Sequence, residues 1–146
     1  PLIIRHPGMT KATGKTNSLV ELVDLYPTLC ELCGLDRPDH LQGRSLVPIL
    51  RDPSATVRKT AYSSYPHGRG QGRTRATGHS IRTERYRYTE WWEQKTDKRV
   101  AGILTDIEHD PGETSAVTDQ PERQAELSKL LRRRVTSARQ TMRLSD

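Results

Sequence analysis

The stretch from Ser80 to Trp92 constrains the fold more than any other. Ser80 to Thr83 and Tyr86 to Trp92 are rich in β-branched and aromatic residues and flank Glu84-Arg85, a pattern that predicts a hairpin. A hairpin with aromatic residues must bury one face against another layer. The chain offers such a layer: a helix is predicted to open near Pro121, a favourable first helical position, with Leu127, Leu130, Leu131, Val135 and Ala138 on one stripe. Thr60 to Tyr65 reads as a further strand ended by Pro66. Ile103 to Ile107 reads as another, closed by the turn Asp110-Pro111-Gly112-Glu113.

The first third has a different grammar. Leu2 to Arg5 reads as a strand ending at Pro7-Gly8. Between Ser18 and Gly34 the apolar residues suit one helical face, but Pro27 would break a single helix. Taking Asp24 as N-cap places Pro27 in the first turn, where amide hydrogens lack partners, and Gly34 then supplies the stop. Leu19 to Val23 is accordingly expected to be extended and Leu25 to Cys33 helical. Gly43 to Leu50 reads as a short helical turn containing Pro48. Residues 67–78 hold four glycines and three arginines and read as a loop.

Composition narrows the class. Hydrophobic residues make up 32% of the 146 and Phe is absent. Even with glycine added the share is below the roughly 45–50% usual for a soluble domain. This is the balance of a loose domain or of a piece of something larger, and an opening on Pro1 followed by Leu2-Ile3-Ile4 suits the second. The net charge is +6, and residues 67–100 hold 9 basic and 4 acidic side chains, enough to steer an anion. No run of apolar residues is long enough to span a membrane. Cys30 and Cys33 form a lone C-x-x-C with no second ligand pair for zinc, so they read as small hydrophobes among Leu29, Leu32 and Leu35.

Val23-Asp24-Leu25-Tyr26-Pro27-Thr28-Leu29, then Cys33-Gly34-Leu35, then Gly43-Arg44-Ser45-Leu46 with Pro48 and Leu50, resemble the segment that follows the active site in the sulfatase family. Ala61 to Pro66 and Ser80 to Thr89 resemble the iduronate-2-sulfatase-like branch. The likeness runs from Pro1 to about Leu131. Departures are local: Ile103-Leu104-Thr105-Asp106 stands where Glu-Leu-Tyr-Asp is common, Ala116 replaces a usual Asn, and His79 stands where a Tyr is frequent.

The resemblance implies an α+β fragment of an α/β alkaline-phosphatase-like fold. Residues 1–66 would be the end of the large domain, with an edge strand and helix, followed by the loop 67–78. Residues 79–138 would be a small antiparallel sheet covered by a C-terminal helix, and 139–146 a tail. It also implies a parent enzyme that hydrolyses sulfate esters with a formylglycine and a divalent cation, usually calcium, and that is exported, periplasmic or lysosomal. None of those catalytic or metal residues is expected in this chain. Cys33-Gly34-Leu35-Asp36-Arg37 has the Cys-to-Arg spacing, but Leu35 stands where Pro or Ala is required. Asp36, Asp39 and His40 read as a polar connection.

The expected role is therefore structural, completing a missing N-terminal sulfatase domain. Asp24, Pro27, Gly34 and Arg82 would be structural. His67, Arg69, Arg73 and Arg75 are candidates to contact an anionic sulfated substrate at its rim, because guanidinium groups suit sulfate geometry. Two alternatives stand beside this: a non-functional remnant, or a basic module binding sulfated glycan or nucleic acid through residues 69–99 with Tyr86, Tyr88, Trp91 and Trp92. Nucleic acid is the weaker partner, because no recognised motif accompanies the aromatics.

Overall fold

A computed structural model describes residues 2–7, 14–67 and 75–143, without the side chains of 67 and 140–143. Two compact units result, residues 1–59 and 60–146. The architecture is the expected α+β one, with a small antiparallel sheet and a C-terminal helix.

In the first unit a 3-10 turn, Leu22–Asp24, leads directly into α1, Leu25–Cys33, and a short α2 follows at Val47–Arg51. The extended reading of Leu19 to Val23 therefore fails at its end. Glu21 is extended, but its amide donates to the Asp24 carboxylate at 2.7 Å in a capping box that winds the turn. Residues 2–7 form no strand. A strand needs a neighbour for its amides and carbonyls, and the described residues supply none there. Pro27 is buried in the first turn of α1, and Gly34 closes the helix in the left-handed conformation at φ 65°, where any side chain would be strained. Cys30 is buried and Cys33 exposed, so only the first behaves as a core hydrophobe. Pro27, Thr28, Cys30, Leu46, Val47 and Ile49 make a small core.

The second unit is a four-stranded antiparallel meander: β1 Ala61–His67, β2 Ala76–Arg82, β3 Tyr86–Glu93 and β4 Arg99–Asp106, in spatial order β1-β2-β3-β4. β1 pairs with β2 along its whole length, His67 opposite Ala76. The break between units consequently falls after Lys59 rather than at Pro66, and Ala76 to Gly78 belong to a strand rather than to a loop. The helix α3 runs over Pro121–Arg143, so residues 139–143 continue it and are no tail.

The sheet alternates as a period of two requires. Ile81, Tyr88 and Leu104 point to the face that receives Leu127, Leu131 and Val135 of α3, with Tyr62, Tyr86, Trp92 and Val117 at the margin. Burying each large apolar side chain contributes about 1.5–3 kcal/mol. Arginines of α3 flank this seam over sheet aromatics: Arg123 over Tyr86, Arg134 over Tyr62, Arg132 and Arg139 over Trp92. Their stems cover apolar rings while the guanidiniums remain near water. On the outer edge of β4 the Val117 amide donates to the Leu104 carbonyl at 2.8 Å, which covers the edge at that position.

Candidate functional site

Three polar clusters organise the described residues. The first centres on Asp24, whose carboxylate is fully buried. As the residue before α1 it stands at the cap position, yet its side chain makes no bond to that helix. Its oxygens instead accept from the Glu21 amide at 2.7 Å, the Arg44 amide at 2.8 Å and the Arg58 guanidinium. Arg58 also reaches Glu21 at 2.8 Å. One turn on, the Thr28 hydroxyl donates to the Asp24 carbonyl at 2.5 Å and accepts from the Leu46 amide at 2.9 Å. Gly43 backs so closely onto the Val23 carbonyl that a methyl group there would overlap it. The two sequence blocks Val23 to Leu29 and Gly43 to Leu46 are thus one structure: the second lies on the first and satisfies its buried polar groups.

The second cluster is Glu90, also fully buried, on the helix-facing side of β3. It accepts from Tyr88 Oη at 3.0 Å, Trp92 Nε1 at 2.8 Å and Ser128 Oγ at 2.7 Å, and Arg99 Nε lies 3.2 Å away. Arg132 Nε sits at 3.6 Å. Burial, then the Glu90 charge, raises the Tyr88 phenol above its ordinary value. Period two in Tyr86, Tyr88, Glu90, Trp92 places Glu90 on the aromatic face, so its burial is a signal the sequence carries.

The third cluster joins Asp106, Glu108 and His109, whose ligand atoms lie within 4.8 Å of one another. These are the described residues that could most nearly hold a divalent ion, and they do not fit one. Arg85 already occupies the carboxylate of Asp106, with Nη2 at 2.8 Å and Nε at 3.1 Å, while His109 Nδ1 stands at 3.1 Å. The Arg85 hydrogen bonds hold the Asp106 carboxyl down at about 2. A cation would have to displace a guanidinium.

Of the residues expected at a substrate rim, Arg69 and Arg73 lie outside the described residues. His67 ends β1, and Arg75 is exposed just before β2, its carbonyl accepting from Gln94 N at 2.9 Å. Arg82 lies opposite Arg87 across β2 and β3. Arg87 finds Glu113 at 2.9 Å, whereas Nη1 of Arg82 is buried without a hydrogen-bond partner. Burial, then the Arg87 charge, lowers its pKa. Of the four aromatics of the expected platform, Tyr88 is buried in the core and Tyr86 and Trp92 pack against it, which leaves Trp91 as the one outside that cluster. Among the described residues no helix is long and apolar enough to cross a membrane.

A meander covered by one C-terminal helix follows in the chain a helix whose leading Asp24 is buried against Arg58, and the family match and solved relatives make this a C-terminal domain of the sulfatase class, broadly alkaline-phosphatase-like. Residues 1–141 match the family described as N-sulphoglucosamine sulphohydrolase, C-terminal, and the chain belongs to that family. It is 31% identical over 140 residues to arylsulfatase K of Xenopus laevis, covering 90% of this chain and 25% of that protein. It is 30% identical over 123 residues to a delta 4,5-hexuronate-2-O-sulfatase of Bacteroides thetaiotaomicron, covering 83% and 24%. A solved 2-O GAG sulfatase aligns with TM-score 0.55 and 28% identity over 84% of this chain and 25% of that one. The chain spans about a quarter of the curated relatives it matches over most of its length.

Proposed function

We propose that this chain is the C-terminal part of a sulfuric ester hydrolase, with a structural and substrate-rim role and no catalysis of its own. The observation that carries the reading is the family match over residues 1–141 in a chain that spans about a quarter of its relatives. The surface of the first unit supports it. Leu22, Tyr26 and Leu29, spaced to share one helical face, are 82%, 54% and 57% exposed, an apolar stripe suited to an N-terminal sulfatase domain.

In this reading His67, Arg69, Arg73 and Arg75 lie at the rim of a cleft whose formylglycine and calcium are held by the other domain. The iduronate-2-sulfatase-like branch is the finer placement, on Ala61 to Pro66 and Ser80 to Thr89. Relatives named for 2-O-sulfated hexuronate and GAG substrates make a sulfated uronate the substrate of choice, in an exported, periplasmic or lysosomal setting. The test is sulfate release from 2-O-sulfated uronate disaccharides. A longer protein containing this chain is expected to release sulfate and to carry C/S-x-P/A-x-R in the part that precedes it. Release by the isolated chain would overturn the reading.

A further inference from the structure

The second unit has two basic segments of equal net charge, residues 67–100 with 9 basic and 4 acidic side chains and the helix α3. Pro121–Arg143 carries seven Arg or Lys against two Glu, while the preceding 101–120 carries five acids and no Arg or Lys. The cations of α3 then divide by face. Arg123, Arg134 and Arg139 lean on Tyr86, Tyr62 and Trp92, and Arg139 also pairs with Asp97 at 2.6 Å. Lys129 and Arg133 do neither. Both are exposed, and no acidic side chain among the described residues pairs with them. With Arg132, which also lies over Trp92 and 3.6 Å from Glu90, and with Ser128, Thr136 and Ser137 they line an open groove in which no lining residue is acidic. Positions 125, 129, 132, 133 and 136 share one helical face by spacing, and the cations among them extend along about 6 Å of helix.

We propose that this strip is a docking site for a sulfated polysaccharide chain, separate from the rim on the β1–β2 connection. Three neighbouring cations, Lys129, Arg132 and Arg133, with no acid among the lining residues match the dense negative charge of a sulfated polymer, and guanidinium donors suit sulfate oxygens. Single-stranded nucleic acid is the poorer occupant, because the groove has no aromatic ring on which a base could stack. The choice of a sulfated glycan over other polyanions rests on the sulfatase reading above; the binding itself does not. A strip of this kind would hold a polymer near the enzyme without touching the reacting bond.

The experiment is calorimetric titration of the whole chain with a heparin-type octasaccharide, its fully desulfated counterpart and a single-stranded oligonucleotide of matched charge, across a salt series. Binding to the sulfated sugar alone is expected. Lys129→Ala with Arg133→Ala should weaken it about tenfold or more and reduce the log–log salt slope by about two. Lys95→Ala with Lys98→Ala, on the β3–β4 turn, should leave it unchanged. Thermal unfolding of both variants checks that the fold persists, and Lys129→Gln with Arg133→Gln repeats the test should the alanine pair not fold. Equal affinity for the oligonucleotide, no binding, or unchanged binding in a folded Lys129/Arg133 variant would each overturn the proposal. Because no turnover is measured, failure here leaves the sulfate-release test intact, and failure there leaves this one.

Discussion

Arg58 delivers its guanidinium to the fully buried carboxylate of Asp24 across 34 residues of chain. The pair ties the end of the first unit to the start of α1. Truncating one partner of a buried pair leaves the other charged and dehydrated, which costs about 3–5 kcal/mol. Arg58→Leu should therefore destabilise the first unit by that amount in urea denaturation, followed by amide exchange at Arg44 and Leu46. Loss of less than about 1 kcal/mol would mean that water replaces the guanidinium. Gly43→Ala should cost about 1–3 kcal/mol by overpacking, since its methyl would overlap the Val23 carbonyl.

Glu90 invites a comparable test in the second unit. Its carboxylate serves Tyr88, Trp92, Ser128 and Arg99 together. Glu90→Ala would leave those donors facing each other around a void, whereas Glu90→Gln keeps the shape and loses the charge. We expect the alanine variant to lose about 3–5 kcal/mol and the glutamine variant clearly less, read by thermal unfolding with tryptophan emission. Equal losses would show that charge alone sets the cost.

Much of this architecture is legible in the sequence, and the boundary of legibility has a physical cause. The hairpin around Glu84-Arg85 and the stripe Leu127, Leu131, Val135 are local patterns of period 2 and 3.6, so short windows reveal them. The partners of Asp24 are not local. Arg44 and Arg58 lie 20 and 34 residues away, and an isolated Arg carries no mark of burial, so Asp24 reads as a helix cap when it serves as a tertiary hub. The Leu2 to Arg5 strand illustrates the reverse error: an apolar run was legible, a neighbour to pair with was not. Charge is similarly masked around α3: residues 101–146 hold 7 basic and 8 acidic side chains, because the acids of 101–120 offset the cations of the helix.

His79 should make stability fall in mild acid. It is buried between Tyr62 and Trp92, its Nδ1 stands 2.9 Å from Tyr62 Oη, and its Nε2 has no partner. Burial, then the Arg139 charge, holds its pKa below the ordinary value, against smaller raising effects of Asp97 and Glu90. A histidine whose folded pKa is depressed stays neutral on folding. Its contribution is complete above the unfolded value of about 6.5 and declines as pH falls through that value toward the folded one. The stability of the wild-type chain should thus drop as pH falls below the ordinary histidine value of about 6.5, and His79→Gln should flatten that slope. An identical slope in the variant would assign the drop to another group.

Asp106 works at the other end of the scale. Hydrogen bonds from Arg85, then from His109, depress its carboxyl to about 2 from 3.8. The sign follows from a folded pKa below the unfolded one: the contribution is present above about 4 and disappears as pH falls through about 2. Asp106→Asn should remove the acid-dependent part of stability in that window, measured by denaturation at stepped pH. The same arrangement bears on metal. Arg85 occupies both carboxylate oxygens, so millimolar calcium should shift neither the Asp106 carboxyl resonance nor the unfolding temperature of the wild-type chain. In Arg85→Ala the carboxylate is released, its pKa should rise toward the ordinary range, and any calcium response should emerge only there. A calcium-induced shift in the wild-type chain would mean that Asp106, Glu108 and His109 bind the ion in competition with the guanidinium.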